Sequence, residues 1–96
     1  MLIRSQNKEV LVTLELLFDI EVSGGVISAR RDMSWCCLLG EYSTKAEAMK
    51  VLDMIQEAYS EYQIMLNFSI SYLHEFKEKT DGFAIFQMPE DSEVEV

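Results

Sequence analysis

The chain has one histidine, two cysteines, one proline and eight lysines and arginines among its 96 residues. Each scarcity removes a class of chemistry. His74 stands in HEFKEK, which lacks the second imidazole four residues on that a helical zinc-protease motif requires. The cysteines are adjacent, Cys36 and Cys37, without the Cys-x2-Cys spacing of a zinc knuckle or redox pair. On a strand, neighbours project to opposite faces, so the two thiols could not share one metal. The pair therefore reads as packing, in a core or an interface. A catalytic Cys–His pair would need the fold to bring His74 to one of them, and nothing in the sequence places them together.

Calcium loops, phosphate-binding loops, dinucleotide fingerprints and Gly-x-Ser-x-Gly elbows are missing. Gly24-Gly25 is a turn and not a phosphate cradle, because no helix N-terminus follows it. Arg30-Arg31 is the only adjacent basic pair, and Asp32 offsets it. Direct binding to nucleic acid or to an anionic membrane is therefore not expected. No apolar run reaches the length of a membrane span. Met1-Leu2-Ile3 gives way at once to Arg4, Ser5, Gln6, Asn7, Lys8 and Glu9, which is not the apolar centre of a secretory leader. These features set the expectation of a cytoplasmic chain with reduced cysteines, no metal, no cofactor and no catalytic centre.

What is abundant is acid. Seventeen aspartates and glutamates give a net charge of -9, on a chain that is 49% hydrophobic. That is a globular composition, and a chain this short buries roughly 60–65% of its unfolded surface. Such a thin margin favours a homodimer. The charge favours solubility, a cation or a basic protein partner.

The pattern predicts an α+β fold, an antiparallel β-meander of about four to six strands packed on one long α-helix. Residues 1–5 and 10–14 alternate around a polar turn, with Ile3 facing Val12 and Ser5 facing Val10. Residues 18–23 and 26–31 flank Gly24-Gly25, which suits a type I′ hairpin turn. That register pairs Phe18 with Arg31, Ile20 with Ala29 and Val22 with Ile27, and puts Asp19 opposite Arg30 as an ion pair. Residues 34–42 form the next strand, with Trp35, Cys37 and Leu39 on one face and Cys36 and Leu38 on the other. With both faces apolar, this strand is expected to be interior, or to bury its second face in a dimer.

Thr44 and Glu47 make a capping box, and Ala48, Val51, Leu52, Ile55, Tyr59 and Tyr62 recur at helical spacing. They predict a helix over residues 45–61 lying across the sheet. Part of 63–73 reads as strand, 74–81 as loop and 82–88 as a last strand ended by Pro89. Residues 1–89 form one domain, and the acidic tail 90–96 is expected to fray.

Three stretches, IRSQNK, LGEYSTKAEAMKVLDMIQEAY and FQMPED, resemble a family of small uncharacterised proteins from Gram-positive bacteria and their phages and mobile elements. The resemblance implies an accessory protein and carries over no residue role. Two functions follow as expectations. One is a small protein-binding or adaptor domain, a homodimer whose interface candidates are Trp35, Cys36, Leu38, Tyr59 and Tyr62. The other is a phage or mobile-element inhibitor of a host nucleic-acid enzyme, a basic partner met by Asp53, Glu57, Glu90, Asp91, Glu93 and Glu95.

Overall fold

The computed structural model describes residues 1–66 and 85–95. They form a mixed α+β fold with two three-stranded sheets and one long helix. Strands β1 (Leu2–Arg4) and β2 (Leu11–Thr13) pair antiparallel, with Ile3 opposite Val12 as the alternation predicts. Lys8 closes their turn in the left-handed region, at φ 67°. Ser5 is buried there, and its hydroxyl donates to Asn7 Oδ1 and accepts from the Val10 N–H.

Strands β3 (Asp19–Ser23), β4 (Val26–Asp32) and β5 (Trp35–Glu41) form the second sheet, in that order. The hairpin register is the expected one from Asp19–Arg30 to Val22–Ile27. Its turn differs from type I′, since only Gly24 has positive φ, at 59°, the sign pattern of type II′. Gly25 is required for another reason. A Cβ there would lie 2.1 Å from the Tyr42 carbonyl oxygen, because the Tyr42 N–H donates to the Gly25 carbonyl. Phe18 lies outside the paired rows and is 73% exposed, where the Arg30 guanidinium sits 6.0 Å from its ring centre.

Helix α1 (Lys45–Leu66) begins where the capping box placed it, with Thr44 Oγ1 accepting from the Glu47 N–H at 3.2 Å. It runs past the expected end. Gln63, Ile64 and Leu66, read as the start of a strand, are its last turn, because no glycine or proline interrupts the chain and Gln63 Nε2 donates back to Tyr59 Oη. The rest of 63–73, the loop 74–81 with His74, and the start of the 82–88 strand lie outside the described residues. Strand β6 (Ile85–Gln87) pairs with β1 in parallel, a departure from a simple meander.

One core joins both sheets to the helix. Ile3 and Val12 enter from the first sheet, Ile27, Ala29 and Leu39 from the second, and Ala48, Val51 and Ile55 from α1. Each large aliphatic side chain so buried contributes about 1.5–3 kcal/mol. The acidic tail is held. Asp91–Glu93 forms a 3-10 turn, Asp91 accepts from both the Ser43 N–H and hydroxyl, and Val94 packs on the core. These bonds act against the fraying expected from charge alone.

Candidate functional site

The WCCLLG stretch is an edge strand, because no strand follows β5 on its outer side among the described residues. Cross-strand partners share a face, so the register puts Asp19, Glu21, Ser28, Arg30, Cys36 and Leu38 on one side. That side is open, and Leu38 is 54% exposed. Arg30 donates to Asp19 at 2.9 Å and to Glu21 at 2.7 Å, so one guanidinium offsets one of the two carboxylate charges on this face. Met33, 93% exposed, lies at the same end of the sheet as Phe18.

The edge of β5 has two halves. A bulge between Ile27 and Ser28 pairings leaves Leu39 without a partner residue on β4. Its carbonyl instead accepts the Gln6 backbone N–H at 2.7 Å. The Gln6 side chain then behaves as a piece of strand. Its Oε1 accepts from the Glu41 N–H at 2.9 Å, and its Nε2 donates to the Glu41 carbonyl at 3.0 Å and the Pro89 carbonyl at 3.3 Å. Residues 35–38 have no such cover among the described residues.

Beside this seam the Tyr42 hydroxyl donates to the Pro89 carbonyl at 2.8 Å. Burial, reinforced by Glu90, Asp91 and Glu93, pushes that phenol up to about 12, so it stays a donor. Glu47 stands beside Asp91 at the helix start. The contact raises the Glu47 carboxyl and lowers that of Asp91, which Ser43 lowers further.

The five interface candidates do not form one patch. Cys36 and Leu38 lie on the outer sheet face. Trp35 packs against the core, with the Arg31 guanidinium 5.0 Å from its ring centre. Tyr59 and Tyr62, stacked 6.1 Å apart, pack against the core from α1. Cys37 is half-buried, and burial followed by the neighbouring Cys36 raises its thiol, the opposite of nucleophile activation. No group of three or more His, Cys, Asp or Glu is placed to hold a metal among the described residues. No helix among them is long and apolar enough to cross a membrane.

The acidic candidates also divide. Asp91 is engaged by Ser43, and Glu93 Oε1 accepts from the Glu90 N–H at 2.9 Å. Asp53 and Glu57 are exposed on α1, as is Glu61, which the sequence reading did not single out. The same helix lines an apolar groove of about 770 Å³, open among the described residues, with Leu14, Leu52, Ile55, Tyr59, Ser60 and Ile64 among its lining. The helical periodicity held the signal for that groove, since these positions flank the stripe that enters the core. Gln6 gave no periodic signal at all. Comparison of the chain with family models, with curated proteins and with solved structures finds no match.

Proposed function

We propose that this chain is a small non-enzymatic binding domain that pairs with a second copy through the open half of β5. The observation that carries this reading is a strand at the edge of its sheet among the described residues, whose exposed face is apolar at Leu38 and has its acids partly offset by Arg30. A chain with net charge -9 repels its own copy over most of its surface. On the outer sheet face Arg30 offsets part of that repulsion. Antiparallel addition of β5 to its own copy would also satisfy the open backbone groups of residues 35–38, in a self-complementary contact closed by a two-fold axis.

Light scattering across concentrations tests it. The expected mass is twice 11.1 kDa, falling to one chain for Leu38→Glu. In a two-fold interface that substitution acts twice and sets two carboxylates near each other. A wild-type chain that stays monomeric at all concentrations overturns the proposal. So does a Leu38→Glu chain that remains a folded dimer.

A further inference from the structure

The groove on α1 has a different chemistry from the sheet face, and it is independent of the pairing proposed above. Leu52, Ile55, Tyr59 and Ile64 from α1 and Leu14 from the other wall supply its apolar lining. Gln56, Ser60 and Ile64 form one wall. Each follows an acid by three residues: Asp53, Glu57 and Glu61. Residues three apart are surface neighbours on a helix, so the carboxylates run as a line beside that wall. All are exposed, and none has a cation partner among the described residues. On the far wall, Glu15 beside Leu14 is engaged by the N-terminal amine at 2.6 Å. The charge is thus on one rim.

We infer that this groove takes a basic amphipathic helix of a partner protein, apolar side chains down and lysines or arginines along the Asp53–Glu57–Glu61 rim. The dimensions agree. From Leu52 to Ile64 the helix rises about 18 Å, and apolar anchors at i, i+4 and i+7 of an incoming helix span about 10 Å. A second copy of this chain is a poor occupant, because it would bring an identical acidic line to the same rim. Among the described residues the groove is open along its length rather than closed, which suits a helix better than a small molecule.

The probe is a labelled synthetic helix with leucines at i, i+4 and i+7 and lysines along one flank. Its counterpart has glutamates in place of the lysines. Binding to the full chain is read by fluorescence anisotropy at low and high salt. The lysine peptide is expected to bind and the glutamate peptide not to. Affinity should fall about tenfold for Asp53→Asn/Glu57→Gln/Glu61→Gln and weaken with salt. Ile64→Glu, at a 60% exposed position, should strengthen a purely electrostatic contact and weaken a seated one. Neutralising Glu9 and Glu95, which do not lie on α1, should change affinity little. All these positions are exposed, and circular dichroism checks that each variant is folded.

The inference is overturned if the two peptides bind equally, or if neither binds because the groove holds another part of the same chain. It is also overturned if Ile64→Glu turns a dimer into a monomer, which would make a second copy the occupant. Since the Leu38→Glu experiment reads only mass, failure of one proposal leaves the other standing.

Discussion

The outer face of the β3–β4–β5 sheet and the outer face of α1 carry charge in opposite ways. On the sheet, Arg30 bridges Asp19 and Glu21, and Arg31 lies 3.8 Å from Asp32. On the helix, Asp53, Glu57 and Glu61 repeat every four residues and form no ion pair among the described residues, with Lys50 one turn before Asp53. A net charge is therefore a poor guide to any single surface of a small protein. The same -9 is partly offset by arginine on one face and left without an ion pair on the other, among the described residues.

The comparison can be broken on the sheet side. Gly25→Ala would drive a methyl into the Tyr42 carbonyl, backbone against backbone. A loss of about 3 kcal/mol is expected in urea unfolding, at the upper end for forced overpacking. If the loss is under 1 kcal/mol, the close approach of the hairpin turn to residue 42 is wrong. Arg30→Ala sharpens the contrast instead. It leaves Asp19 and Glu21 uncompensated and makes the sheet resemble the helix. Two partly exposed ion pairs are lost, each about 0.2–1 kcal/mol, so stability changes by about 1 kcal/mol. Self-association, read by light scattering, should weaken more than stability does.

The smallest effect is at the helix start. The Glu47 carboxyl is raised in the folded chain, so its contribution is present at low pH and lost as pH rises through its folded pKa. The Asp91 carboxyl is lowered, so its contribution is present above its unfolded value and lost as pH falls through its folded pKa. Stability should therefore rise slightly from neutral pH toward the unfolded carboxylate range, then fall on stronger acidification. Glu47→Gln should remove the rise and keep the fall. Thermal melts over pH would show this, and an unaltered profile in the variant would mean the two carboxyls are not coupled.

Much of the second sheet and the helix was legible because their signals are local. The Gly24-Gly25 turn fixes the register of β3 and β4 within a few residues, and Thr44 announces the helix within one turn. Ile64 and Leu66 fit periods of both two and 3.6 residues, so helix and strand could not be told apart there. The parallel β1–β6 pair joins two three-residue segments more than 80 positions apart, with no turn between them to betray it. Edge status of β5 is a property of strand order, which alternation does not encode. Tail composition suggested fraying because Asp91's bonds to Ser43 are invisible to a count of charges. The quoted stretches IRSQNK, LGEYSTKAEAMKVLDMIQEAY and FQMPED do meet in space, where Gln6, Glu41, Tyr42 and Pro89 are joined.

Gln6 sets a length. By occupying the Glu41 end of β5 it leaves residues 35–38 as the open part among the described residues, about 13 Å of strand. Amyloid-type stacking draws on segments of six or seven residues. A side chain that imitates backbone thus works as a buffer stop on the rail. It shortens the track on which a train of copies could form.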